Sequence, residues 1–140
     1  MRMTRRIALG MALSLIVVTG VGAQSSEPLG VSLIQLIANP EKYDGKFVRV
    51  IGYLRLEFEG NALYLHREDD EAALIKNAIW VDATPDMEKN REKFDRKYVL
   101  LEGRFDAKHH GHMDLFSGEL RAISRADVWY PRPAQKKGLR

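Results

Sequence analysis

The sequence predicts a mainly β (α+β) domain: a five-stranded barrel with an N-terminal helix and a helix between strands three and four. Three observations predict it. Residues 46–56 alternate, with Val48, Val50, Gly52, Leu54 and Leu56 on one face and Phe47, Arg49, Ile51, Tyr53 and Arg55 on the other. Turn signals at Asp44-Gly45, Gly60-Asn61 and Thr84-Pro85-Asp86 divide the chain into short strands and one later helix. Gly52 and Gly103 fall inside strands, where a sheet that closes on itself has to bend. The resulting order, three strands, a helix and two strands, is that of the OB-fold.

The first helix starts at Ser32, a good N-cap, and places Leu33, Leu36 and Ile37 on one stripe. Asn39-Pro40 ends or redirects it. The first strand occupies 46–56. The hairpin at Gly60-Asn61 leads to a second strand over 62–66, and residues 67–76 form a longer connection to a third over 78–82. Thr84 or Asp86 caps a helix through about Phe94, with Pro85 in its first turn. A fourth strand covers 98–106, and a last one covers 119–129 after a loop rich in glycine and histidine. Lys97-Tyr98-Val99-Leu100-Leu101-Glu102-Gly103 echoes Lys46-Phe47-Val48-Arg49-Val50-Ile51-Gly52. We read the echo as two strands meeting the same bending requirement.

The ends of the chain read differently from its middle. Arg2, Arg5 and Arg6 precede an apolar run from Ile7 to Val21, and Val21-Gly22-Ala23 offers small residues for cleavage before Gln24. Together these form a secretory signal peptide, and the uninterrupted apolar run is too short to span a bilayer. The expected organisation is a signal peptide over 1–23, a linker over 24–30, an OB-like domain over 31–130 and a disordered basic tail over 131–140. The expected location is the periplasm or the medium, with no transmembrane segment after cleavage.

Composition narrows the partners. Removing residues 1–23 from the 140 leaves 117, enough for one core without staples. With no cysteine there is no disulfide, redox couple or thiolate zinc site. Of 22 basic side chains three leave with the signal, so 19 face 19 acidic ones and the net charge is zero. Four of those 19, Arg132, Lys136, Lys137 and Arg140, sit in the tail, which leaves the body at 15 against 19, or −4. A nucleic-acid partner is disfavoured on that balance. An envelope protein or a glycan fits it better.

The stretch Ser32-Leu33-Ile34-Gln35-Leu36-Ile37-Ala38-Asn39-Pro40-Glu41-Lys42-Tyr43-Asp44-Gly45-Lys46, continued by Val48-Arg49-Val50-Ile51-Gly52-Tyr53, resembles the opening of OB-like domains in small exported bacterial proteins. Gly111-His112-Met113 and Leu115-Phe116-Ser117-Gly118 are similar to members of that group as well. The likeness covers roughly residues 31–129. It implies the fold, and it carries over no catalytic residue.

Two constellations stand out as sites. If Leu63, Leu65, Ile79 and Val81 point into the barrel, Tyr64, His66 and Trp80 point out, on the strands where OB-folds hold oligonucleotides and oligosaccharides. Arg49 or Arg55 would stand near them. The plainer reading is that the helix at 33–37 or a loop covers these rings. The second constellation is His109, His110 and His112, whose imidazoles suit a divalent metal together with Asp106 and Asp114. Its plainer reading is a solvated loop. The acids Glu68-Asp69-Asp70-Glu71 lack a calcium-loop pattern and read as a solvated turn. Hydrolase, metalloprotease and phosphate-loop signatures are missing, and Ser117, His112 and Asp114 are too close in sequence for their spacing to define a triad. The expectation is an exported OB-like binding module without a cofactor. The alternative is a metal-binding or metal-dependent periplasmic protein that uses the 109–112 loop.

Overall fold

A computed structural model describes residues 27–130. The expected signal peptide over 1–23 and the expected disordered tail over 131–140 lie outside the described residues. The strands are β1 (Leu29–Gly30), β2 (Phe47–Arg55), β3 (Ala62–Tyr64), β4 (Ala78–Val81), β5 (Lys97–Asp106) and β6 (Glu119–Val128). The helices are α1 (Leu33–Ala38), α2 (Pro40–Tyr43), α3 (Arg67–Glu71), α4 (Pro85–Lys89) and α5 (Arg91–Phe94).

Strand order is β1-β2-β3-β4-β6-β5, and β5 returns to pair with β2. The five strands β2 to β6 therefore close into a barrel, with β4 and β6 running parallel and the other barrel pairs antiparallel. This is an OB-like barrel. Closure leaves its strands without a free edge along most of their length. β1, the end of the expected linker, adds a short parallel strand beside Val48 and Arg49 of β2.

The alternation in β2 holds as expected. Val48, Val50 and Leu54 are buried in the interior with Leu63, Ile79, Val81, Leu101 and Phe105. The two mid-strand glycines permit close approaches. A Cβ on Gly52 would lie 2.7 Å from both Leu33 and Leu63, and one on Gly103 would lie 2.8 Å from the Arg121 carbonyl oxygen. The register of β5 against β6 shifts between Glu102 and Arg104, where three residues of β6 oppose Gly103 alone, so Gly103 faces a bulge in β6.

The first helix forms for local reasons. Ser32 accepts the Gln35 N–H at 3.2 Å while the Gln35 side chain accepts the Ser32 N–H at 2.9 Å, a reciprocal capping box. Leu33 and Leu36 are then driven into the core, each worth about 2 kcal/mol of burial. Asn39-Pro40 redirects the chain into α2.

Three elements differ from expectation. The second strand stops at Tyr64, because His66 leaves the sheet and its N–H is held at 2.9 Å by Asp69 as α3 begins. The connection 67–77 is not a plain loop: it holds α3 and a single 3-10 turn over Ile75–Asn77. The helix expected over 84–94 is broken at Asn90 into α4 and α5, which send Met87 and Phe94 into the core. Thr84 caps α4 as expected, accepting the Met87 N–H at 3.3 Å. No described helix is long and apolar enough to cross a membrane.

Candidate functional site

The outward face of β2, β3 and β4 carries Tyr53, Arg55, Ala62, Tyr64, Ala78 and Trp80. Tyr53, Ala62, Tyr64, Ala78 and Phe116 form a second buried cluster, with Ile75 and Trp80 packed against it. The aromatic face is therefore covered, as the plainer reading held. The cover is the loop between β5 and β6, not the helix at 33–37, whose leucines belong to the barrel interior.

The loop is tied to β4 like an extra strand. Ser117 N–H donates to the Ala78 carbonyl at 3.0 Å, and Trp80 N–H donates to the Gly118 carbonyl at 2.8 Å. The Phe116 ring meets the Trp80 indole edge to face at 5.4 Å. Within the loop, Phe116 N–H donates to the His110 carbonyl, and His110 Nδ1–H returns a bond to the Phe116 carbonyl, both at 3.0 Å. Gly111 then passes over the indole.

The three histidines have three separate partners. His109 Nδ1–H donates to Asp106 at 3.0 Å, His110 bonds within the loop, and His112 Nε2 lies 3.8 Å from Glu59. They do not converge, and the described residues contain no group of three histidine or carboxylate side chains placed to hold a metal ion. Ser117 Oγ donates to the Lys76 carbonyl at 2.8 Å, so its hydroxyl is bonded away from His112 and Asp114.

The two arginines also part company. Arg49 Nε donates to Glu102 at 2.7 Å, and Arg125 reaches the same carboxylate at 3.2 Å. These residues stand opposite one another across β2, β5 and β6, so Arg49 is one leg of a cross-strand ion triad remote from the aromatic cluster. Arg55 lies on the outward face beside the tyrosines, where its guanidinium meets Glu57 at 2.9 Å and Asp95 at 4.0 Å.

Arg55 opens onto a cleft of about 360 Å³ lined by Tyr53, Arg55, Glu57, Asp70, Glu71 and Arg96. Its walls come from β2, from α3 and from the turn between α5 and β5. Glu71 is paired with Arg67 at 3.0 Å. The Asp70 carboxylate and the Arg96 guanidinium have no ion-pair partner among the described residues. Burial pushes the Asp70 carboxyl above the usual aspartate range; Arg55 and Arg96 pull it down while Glu57 and Asp95 push it further up. Burial likewise raises the Tyr53 and Tyr64 hydroxyls, with the Asp70 charge adding to both. Arg96 sits at φ +56°, a conformation costly for a residue other than glycine. A cleft that gathers displaced titration and backbone strain is where a functional site is sought first.

Of the residues singled out in the sequence, the structure brings Arg55 to this cleft, packs Tyr64 into the covered cluster and seats Trp80 under the loop. His66 stands at the start of α3, and Arg49 is elsewhere. Sequence reasoning missed Tyr53, Asp70 and Arg96. Tyr53 was legible, since it shares the outward stripe with Arg55. Asp70 was read as part of a solvated run, and nothing local marks Arg96. Searches against family models, curated proteins and solved structures return no match for this chain. Function is therefore read from the site itself.

Proposed function

We propose that this is an exported OB-like binding module whose ligand seats in the Tyr53–Arg55–Asp70–Arg96 cleft. One observation carries the reading: the Asp70 carboxylate and the Arg96 guanidinium, neither with an ion-pair partner among the described residues, share a concave site with Tyr53. Such groups can donate to and accept from the hydroxyls of an oligosaccharide or the backbone of a protein segment. Three carboxylates against two guanidiniums line the cleft, a balance that opposes a polyanion and disfavours nucleic acid. Export rests on the basic, apolar and small-residue pattern of residues 1–23.

The test is a glycan, peptide and oligonucleotide array probed with Gln24–Arg140. The variants Arg96→Ala and Asp70→Asn follow on any hit. A glycan or peptide whose affinity falls about tenfold or more in both supports the cleft. A ligand indifferent to both variants, or lost only on adding chelator, refutes it.

A further inference from the structure

A second surface lies where β6 runs out. Trp129 and Tyr130 follow Val128 and keep 45% and 80% of their surface exposed. Trp129 is nevertheless fixed, since its N–H donates to the Tyr98 carbonyl at 2.8 Å. The two rings border a shallow cavity of about 510 Å³ with Lys93, Lys97, Leu100 and Arg125. Lys97 Nζ is anchored on the Glu92 and Lys93 carbonyls at 2.8 and 3.1 Å, at the end of α5. Three cations line this cavity against one carboxylate, Asp127, which Arg125 holds at 2.6 Å. The sequence continues from Tyr130 with Arg132, Lys136, Lys137 and Arg140 and no acid.

We infer that this aromatic and basic end of the protein docks on an anionic phospholipid bilayer. Tryptophan and tyrosine favour the headgroup level, where an apolar ring and a polar edge are both satisfied. Each lysine or arginine near an anionic surface strengthens adsorption by about fivefold. The arrangement of charge selects a membrane over a nucleic acid. A nucleic-acid strand is held by a run of phosphate contacts along a basic groove. Here Lys93, Lys97 and Arg125 ring one shallow cavity beside two exposed rings, while residues 24–130 as a whole carry −4. A planar surface touches the basic end alone and leaves the acidic remainder facing water.

Vesicle flotation with Gln24–Arg140, which contains the whole closed barrel, tests this. Vesicles of phosphatidylglycerol and phosphatidylethanolamine are expected to bind the protein at least tenfold better than phosphatidylcholine vesicles. Lys136→Gln with Lys137→Gln should lower binding by about fivefold for each lysine. Trp129→Ala should also lower it; Tyr130→Ser gives the same reading at a site too exposed to affect folding. Brominated lipid should quench the tryptophan emission of the parent protein and spare that of Trp129→Phe. Equal binding to both vesicle types, absence of binding, or binding unchanged in the lysine and aromatic variants overturns the inference. Capture of a single-stranded oligonucleotide without vesicle binding overturns it in favour of a nucleic-acid surface.

Discussion

The backbone of Gly111 rests on the indole of Trp80, so closely that a Cβ at Gly111 would lie 2.5 Å from the ring. Its φ of +65° also belongs to a region L side chains rarely adopt. Gly111→Val is therefore expected to lift the loop from β4 and wet the indole. Tryptophan emission, read in a Trp129→Phe background, should shift to the red, and the midpoint of thermal unfolding should fall. Emission that stays put would mean that the loop does not depend on this contact.

Gly52→Val and Gly103→Val should each destabilise the barrel by more than about 1 kcal/mol. At Gly52 the added methyls meet Leu33, Leu63 and the Tyr64 carbonyl oxygen; at Gly103 they meet the Arg121 carbonyl oxygen and Leu120. The backbone atoms cannot yield without distorting the ladders. For a domain of this size a drop of about 4–8 °C per kcal/mol is expected. Two unchanged midpoints would argue against the closed barrel.

Asp106 predicts the acid limb of stability. Burial pushes its carboxyl up, but the Lys108 backbone N–H, the His109 ring and backbone and the Arg121 charge together hold it below the usual aspartate range. Asp44 and Glu119 stand close enough to oppose this. A lowered carboxyl stabilises the fold above its unfolded value, near 3.8, and that contribution is lost as pH falls through the folded value. Asp106→Asn should therefore destabilise at pH 7 and flatten the loss of stability below about pH 4. Parallel pH profiles for parent and variant would contradict the assignment.

Arg49 and Arg96 should behave in opposite ways. Arg49→Ala removes one leg of the triad on Glu102 and should cost about 1 kcal/mol or less, since Arg49 is partly exposed and Arg125 remains. Ligand affinity should stay unchanged. Arg96→Ala should leave the melting midpoint nearly unchanged, because the guanidinium has no ion-pair partner among the described residues and alanine keeps the same strain at φ +56°, while affinity falls. Thermal melts and binding curves on both variants separate the two roles. Reversal of the pattern would move the site to the triad.

Much of the barrel was legible because its signals are local. The stripe from Val48 to Leu56 sets the inward face of β2, and Ser32, Thr84 and the turn at Asp44-Gly45 mark boundaries that side chains enforce. β1 was not legible, since a two-residue strand has no period and exists only through its pairing with Val48 and Arg49. Glu68 to Glu71 misled because charge was taken as solvation. Asp69 is buried, and its carboxylate holds the His66 N–H and the Asn77 amide, each at 2.9 Å. The site was half legible. Alternation placed Tyr64, Trp80 and Arg55 on the outward face, but which loop covers them depends on contacts across more than 30 residues. Arg96 and Asp70 line one cleft only because of the tertiary fold, and no short window of sequence contains that fact.

The parallel pairing of β4 with β6 has a consequence for how the chain becomes folded. The strand that completes the barrel is the last one made, and β2 must wait for β5, some 50 residues later, to find its long partner. No shorter N-terminal piece of this chain can close the barrel, and pairings so distant in sequence are slow to form. Until residue 128 has emerged, the polypeptide lacks the contacts that would lock it, and it remains a thread that a narrow channel can accept.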